Sequence, residues 1–427
     1  MSYNFLLQAF SQRRFARCKD RGALKIFVHD YAGHPFQVDL SRELALRGHD
    51  VSHAYFHGDL GPKGRLERGS SDPRGLSFTG VKQSRPYDKA SFVRRRFDDV
   101  AYGKTVAQLL YSDRPDIVIS GNTPTEAQSA IVDACRKSGS AFVFWVQDFY
   151  SIAVSQLLRK KLGPPGAAVG AYYRFLERRQ FQNSDAVVVI TDSFSPLAKQ
   201  WTGSEDNVFV IENWGALNDI EPRPKDNDWA RRHGLHNSFN FLYSGTLGLK
   251  HNPELLVRLA KGVKGRANVV TVSQGVGVSH LEQARAEQGL DNLILLPLQP
   301  FADLAMVLAT SDVAVATIEP EAGMFSVPSK VQSYFCAGRP VLLAAPKENL
   351  ASELVRSNGA GLVVDPVDQA GFLEAALRLL GDDALRADAA AKARSFALNN
   401  YDIKKVTDRF ERVFDYAIAA KTVERKI

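Results

Sequence analysis

From Lys25 onward, short apolar runs alternate with longer segments whose apolar residues recur every three or four positions. The runs are Lys25 to His29, Val51 to Phe56, Asp116 to Ser120, Ala141 to Val146, Ala186 to Ile190 and Val208 to Ile211. After a break come Phe239 to Tyr243, Asn268 to Val272, Leu293 to Leu296, Asp312 to Thr317, Pro340 to Ala344 and Gly361 to Val364. Each is too short for a helix and nearly continuous in apolar character, as strands of a parallel sheet covered on both faces are. The periodic segments between them predict the covering helices. One runs through Leu46 and is closed by Gly48; others span Phe97 to Leu110, Thr125 to Lys137, and residues near 171–182. Alanine-rich helical sequence follows from Phe372 to Leu398. A last helix, Tyr401 to Ala420, places Ile403, Val406, Phe410, Val413, Phe414 and Ile418 on one face. Residues 57–90, rich in Gly, Pro, Ser and charge, read as a long excursion, and residues 150–170 as a second.

This rhythm predicts an α/β chain of two tandem doubly wound, Rossmann-like domains with an inter-domain cleft. The expected division is an N-terminal extension at 1–23, a first domain at 24–220, a second at 221–398, and a C-terminal helix at 399–427 that packs back towards the first. The break falls in the Pro- and charge-rich stretch Glu221-Pro222-Arg223-Pro224-Lys225-Asp226. Phe5, Leu6, Ala9 and Phe10 in the extension have helical spacing, with Arg13, Arg14 and Arg17 beyond; a short interfacial helix and a frayed tail both fit. Domains of this kind hold ligands at the carboxyl ends of their strands, in the crevice between them.

Charge changes the picture more than composition does. The net charge of +7 is one-sided: residues 1–213 hold 29 Lys and Arg against 22 Asp and Glu, whereas residues 214–427 hold 25 of each. The basic clusters are Arg13 to Lys19, Lys82 to Lys89, Arg94-Arg95-Arg96, Arg159-Lys160-Lys161, and Arg174 with Arg178-Arg179. An anionic partner is expected on this half. Aromatics are not interleaved as a nucleic-acid module requires, so an anionic membrane surface is the expected partner and nucleic acid is not. No apolar run is long enough to cross a bilayer. The N-terminus lacks the basic-then-apolar order of a signal peptide. Cys18, Cys135 and Cys336 are far apart and form no CxxC pair. A reducing cytoplasm fits that pattern.

Several familiar chemistries find no motif. There is no GxGxxG after the first strand, no GxxxxGK[ST], no HExxH and no GxSxG, and the nine histidines lack metal-ligand spacing. Ser273-Gln274-Gly275-Val276-Gly277 is only a GxG turn. The stretch Gly323-Met324-Phe325-Ser326-Val327-Pro328-Ser329-Lys330 stands out. It follows a strand and leads into a helix pattern that ends in Ala337-Gly338-Arg339-Pro340. Small residues at a helix start can offer backbone N–H groups to a phosphate, and Lys330 adds a mobile cation.

Phe241-Leu242-Tyr243-Ser244-Gly245-Thr246-Leu247-Gly248-Leu249-Lys250 resembles the YSGxLGxKxG loop of family 4 glycosyltransferases. Val327-Pro328-Ser329-Lys330, Tyr334 and Ala337-Gly338-Arg339-Pro340-Val341 are similar to the VPSKxxEYxAAGxPV element of a bacterial branch that builds exopolysaccharide, capsule, lipopolysaccharide or colanic acid. Val210-Ile211-Glu212-Asn213-Trp214 resembles the family's xIPNG hinge, and Trp145-Val146-Gln147-Asp148 its xxQD strand end. Gly33 stands at its Gly-rich first loop. The resemblance runs from about residue 25 to about 418. It implies a GT-B fold and a retaining transfer from a nucleotide-diphosphate sugar to a lipid-linked or glycan acceptor. No obligatory cofactor or metal is implied, and the setting is the cytoplasm, peripheral at the inner face of the membrane.

Carried over position by position, the resemblance implies Lys250, Lys330 and Asp148 as catalytic residues. Gly33, His34, Gly245, Thr246, Glu319, Glu321, Ser326, Val327, Ser329 and Ser333 are the implied substrate-binding residues. The chain departs from the family in three places: the paired glutamates fall on Phe325 and Ser333, the first loop reads Ala32-Gly33-His34-Pro35 rather than Gly-Gly, and the hinge reads Asn213-Trp214. Thr246 stands where many relatives carry an arginine. Glu319 and Glu321 lie just upstream and are candidates to supply a carboxylate to the donor sugar. The missing glutamates leave room for a non-catalytic nucleotide-sugar-binding subunit. A same-fold epimerase would need an acid/base pair that is not apparent.

Overall fold

The computed structural model describes residues 22–58, 63–82, 92–248, 251–320 and 329–424. Two parallel sheets organise it. The first is built from β1 (Lys25–Asp30), β2 (Asp50–Phe56), β3 (Leu76–Val81), β4 (Ile117–Gly121), β5 (Ala141–Val146), β6 (Ala186–Val189) and β7 (Val208–Val210), in the order β3-β2-β1-β4-β5-β6-β7. The second contains β8 (Asn240–Ser244), β9 (Asn268–Val272), β10 (Leu293–Leu296), β11 (Val313–Thr317), β12 (Val341–Ala344) and β13 (Gly361–Val364), in the order β10-β9-β8-β11-β12-β13. Both are doubly wound. The order reverses between β1 and β4 in one sheet and between β8 and β11 in the other, and a doubly wound sheet opens its binding crevice at that reversal.

The first domain is covered by α1 (Pro35–Leu46), α2 (Phe92–Asp113), α3 (Thr125–Ser138), α4 (Tyr150–Leu162), α5 (Pro164–Gln182) and α6 (Ser195–Thr202). A short helix, α7 (Asp228–Arg232), lies in the connection to the second sheet. That sheet carries α8 (Pro253–Gly262), α9 (Val276–Gln288), α10 (Leu304–Ala309), α11 (Lys330–Cys336), α12 (Leu350–Ser357), α13 (Gln369–Gly381) and α14 (Asp383–Asn400). The last helix, α15 (Ile403–Glu424), returns to the first sheet. Its Phe410 ring lies 4.8 Å from Trp145 on β5. Arg47, at the end of α1, donates to Asp408 at 2.6 Å, to Glu411 at 2.6 Å and to the Lys404 carbonyl at 2.6 Å.

Two expectations from the sequence are corrected. Residues 57–90 are not wholly an excursion: Leu76–Val81 pairs in parallel with β2 as an edge strand. Only its two end residues are buried, so the apolar signal is thin. Residues 150–170 are not a loop: they hold all of α4 and the start of α5. The Gly163-Pro164-Pro165-Gly166 sequence makes the turn of a helical hairpin. Gly163 takes φ +61, and Pro164 opens α5 with φ preset for a helix. Small residues then seat one helix on the other: Ser155 donates to the Gly170 carbonyl at 2.9 Å.

Candidate active site

At the β1/β4 reversal, Asp30 ends β1 fully buried. Its carboxylate accepts from the backbone N–H of Ala32 at 3.1 Å and from that of His34. Burial alone would raise this carboxyl, but the neighbouring His34 and its hydrogen bonds hold it below the ordinary value. The turn that results sets Gly33 at φ +73. His34 stands immediately before α1, its Nδ1 3.4 Å from Asp30 and 3.2 Å from the Asn122 amide nitrogen. Asn122 follows β4 at φ +52. Asp30 and Asn122 escaped the sequence reading because their roles depend on two strand ends meeting.

At the β8/β11 reversal the chemistry is cationic. Lys330, the first residue of α11, lays its ammonium 3.7 Å from the ring centroid of Tyr243 and donates to the Tyr243 hydroxyl. Tyr243 is buried, which keeps its phenol protonated, and it donates to the Thr246 carbonyl at 2.9 Å. Gly245 takes φ +122, and a Cβ there would stand 3.4 Å from Lys330 Cε. The positive φ is what calls for glycine here, and the lysine stem lies in ordinary contact with it. Tyr334 is buried, and its hydroxyl accepts from the Ser244 N–H at 3.2 Å and donates to the Val315 carbonyl at 3.0 Å. It ties α11 to the two strands that make the reversal. The GxG turn has a packing role as well: the Gly277 N–H donates to the Leu247 carbonyl at 2.9 Å.

The remaining candidates are placed as follows. Thr246 is half-buried in the loop after β8, Glu319 is half-buried two residues past β11, Ser329 is exposed, and Ser333 is half-buried on α11. Lys250, Glu321, Ser326 and Val327 lie outside the described residues, as do Phe325 and the N-terminal extension. Asp148 is exposed just past β5 and does not cap α4; the residue before that helix is Phe149, with no side-chain cap. Arg339 reaches the Ser311 and Arg223 carbonyls at 3.1 and 2.9 Å, a packing role. Among the described residues no group of three or more His, Cys, Asp or Glu could hold a metal ion.

Residues 213–215 tie these parts together. Asn213 exchanges amide hydrogen bonds with Gln147, the residue before Asp148, at 2.6 and 3.3 Å. Trp214 stacks on Trp145 at 5.8 Å, and its indole donates to Asp39 of α1 at 3.4 Å. Burial, reinforced by Asp219, pushes the Asp39 carboxyl up to about 7. A Cβ on Gly215 would lie 2.4 Å from Cys336 Sγ and 2.8 Å from the Gln332 carbonyl, so this glycine packs directly on α11. The helix that follows His34, the strand end before Asp148 and the helix that opens with Lys330 thus meet on one tripeptide.

Residues 34–214 match the family described as Glycosyl transferase 4-like domain, and residues 238–382 match Glycosyl transferases group 1. A putative colanic acid biosynthesis glycosyl transferase, WcaI of Escherichia coli, is 25% identical over 236 residues, 54% of this chain and 58% of the relative. A probable glycosyltransferase, WbjE of Pseudomonas aeruginosa, is 24% identical over 270 residues, 60% of this chain and 64% of the relative. The chain therefore spans less than two thirds of either relative. Among solved structures, Anabaena HepE in complex with UDP and glucose superposes with a TM-score of 0.66 at 16% identity, covering 91% of this chain and 98% of that one. Sucrose-phosphate synthase from Thermosynechococcus elongatus gives 0.72 at 14% identity, covering 92% and 99%. With both sheets matched in order by the two family descriptions, the chain belongs to the GT-B-fold glycosyltransferases.

Proposed function

We propose that this chain is a retaining glycosyltransferase. It moves a sugar from a nucleotide-diphosphate sugar to a lipid-linked or glycan acceptor in surface polysaccharide synthesis, working in the cytoplasm at the inner face of the membrane. The observation that supports the reading is the meeting of α1, β5 and α11 on Asn213-Trp214-Gly215, which brings the helix after His34, the strand end before Asp148 and the helix opened by Lys330 to one tripeptide. Donor diphosphate sits at Lys330 and the Gly245 loop, with Lys250, Ser326 and Val327 completing the cradle. As the glycosidic bond breaks, negative charge gathers on the departing diphosphate. A cation already in place there lowers the barrier without reorganising. His34, fixed by Asp30 and Asn122, and Asp148 face the donor sugar and the acceptor. Glu319 and Glu321 serve the sugar hydroxyls, and Ser333 replaces a ribose-binding carboxylate.

The test is nucleotide release from a panel of nucleotide sugars with and without lipid-linked acceptors. Release that requires a cognate acceptor supports transfer; release without any acceptor marks a hydrolase or epimerase. A second reading rests on Ser333, which offers the ribose a weaker partner than a carboxylate. It is a subunit that binds nucleotide sugar without turning it over. Donor-dependent thermal stabilisation with no turnover on any acceptor supports that reading instead.

A further inference from the structure

The α4–α5 hairpin, with the first turns of α2 beside it, carries an unusual surface. Residues 150–182 hold six Lys and Arg against one acid, Glu177, which is buried. Of the six, only Arg179 meets a carboxylate among the described residues, Asp133 at 3.3 Å. Arg159, Lys160, Lys161, Arg174 and Arg178 are exposed. Between them stand large apolar side chains that the fold leaves open: Leu157 is 50% exposed, Leu162 57% and Phe175 64%. The start of α2 adjoins this surface, for Arg95 donates to the Tyr150 hydroxyl at 2.9 Å and Arg96 to the Tyr172 hydroxyl at 2.9 Å. Next to Arg96 is Phe97, 72% exposed. Five of the ten exposed large apolar side chains among the described residues, Tyr172 included, therefore fall on this one region, beside its exposed cations.

We infer that the outward face of the α4–α5 hairpin and the start of α2 form the surface by which the protein docks on an anionic lipid bilayer. Neither half of the pattern suffices alone. A soluble helix face has no use for open Phe and Leu at this density, and a protein-binding apolar patch has no use for five uncompensated cations. The combination is what an interfacial element needs, with apolar side chains entering the acyl boundary and Lys and Arg at headgroup depth. Each cation near an anionic surface adds on the order of 1 kcal/mol. No helix of the described residues is long and apolar enough to cross the membrane, so the contact is one of lying on the surface. The placement serves the chemistry too. The hairpin begins at Tyr150, two residues past Asp148, so docking brings headgroup-depth diphosphates to the acceptor end of the first sheet. This inference deepens the proposed function and rests on its lipid-linked acceptor.

The experiment is co-sedimentation of the full chain, without donor or acceptor, on vesicles of phosphatidylcholine alone and of equal phosphatidylcholine and phosphatidylglycerol. The wild-type chain partitions onto the anionic vesicles in low salt and much less onto the neutral ones. The triple variant Arg159→Gln, Lys160→Gln, Lys161→Gln lowers that partition on the order of 100-fold. The double variant Leu157→Glu, Phe175→Glu abolishes it while melting within a degree or two of wild type, since both sites are exposed. Equal wild-type binding to both vesicles, or variants that bind like wild type, overturns the proposal. So does a double variant that turns a dimer into a monomer while keeping vesicle binding, which would assign the face to a second copy. Because neither donor nor acceptor is present, failure here would leave the transfer reaction to be tested separately by acceptor-dependent nucleotide release.

Discussion

The two strand-order reversals are built on one topology and hold opposite charge. At β1/β4 the fixed centre is a buried carboxylate, Asp30, with backbone N–H groups and His34 gathered around it. At β8/β11 it is an ammonium, Lys330, lying on a neutral phenol ring beside a glycine. The first arrangement uses its anion internally, to shape a loop. The second lays a cation across a phenol ring at the head of a helix. A doubly wound sheet therefore fixes where a ligand goes but not its sign; a few side chains at the strand ends decide that.

The sharpest way to break this contrast is Lys330→Ala. Turnover with a cognate donor and acceptor should fall roughly 10²–10³-fold, with the fold kept, if the cation meets charge that develops during reaction. Unchanged kcat/KM would remove the lysine from the site. On the opposite side, Asp30→Asn should cost about 2–3 kcal/mol in denaturant unfolding, because an amide turned towards Ala32 and His34 N–H groups leaves buried donors unmet. Loss of turnover without loss of stability would instead make Asp30 a direct participant.

Gly245→Ala should cost about 1–2 kcal/mol, since φ +122 is strained for alanine and relaxing it shifts the loop beside Lys330. A rise in donor KM should accompany it. Tyr243→Phe keeps the ring under the ammonium and deletes the hydroxyl. A roughly fivefold rise in donor KM with little change in kcat is expected if the hydroxyl only orients Lys330, and no change would show that the ring alone suffices.

The hinge gives the smallest effect, read against pH. Asp39 has its carboxyl raised to about 7, so the folded state holds its proton more tightly than the unfolded chain does. Stability from this group is full at acid pH and declines as pH rises towards that value. Asp39→Asn should therefore raise the melting temperature at about pH 8 and converge with wild type at about pH 4. A gap that widens on acidification would reverse the sign and point to an ion pair at Asp39.

Much of the fold could be read from the sequence because its strands are buried on both faces and so are nearly pure apolar runs. β3 escaped because an edge strand needs only its ends covered, as in Leu76-Ser77-Phe78-Thr79-Gly80-Val81. The helix Tyr150–Leu162 and the first turns of α5 escaped for a different reason. Leu157 and Leu162 stand exposed where a soluble helix shows polar residues, which blurs the period on which a helix is recognised. Within the site, Lys330 and Gly245 stood out through local motifs. Asp30, Asn122 and the Gln147–Asn213 pair did not: each works through a partner 66 or 88 residues away or through a turn whose purpose appears only once β4 lies beside β1.

The return of α15 to the first sheet has a consequence for biosynthesis. Trp145 and Trp214 share their covering with Phe410, and Arg47 finds three acceptors on residues 404–411. A nascent chain cannot complete its first domain when that domain leaves the ribosome, because the lid over its aromatic cluster is encoded after the whole second sheet. A fragment stopped at residue 398 would emerge with that cluster bare, prone to chaperone capture and aggregation. The half of the chain that is made first is the half that is finished last.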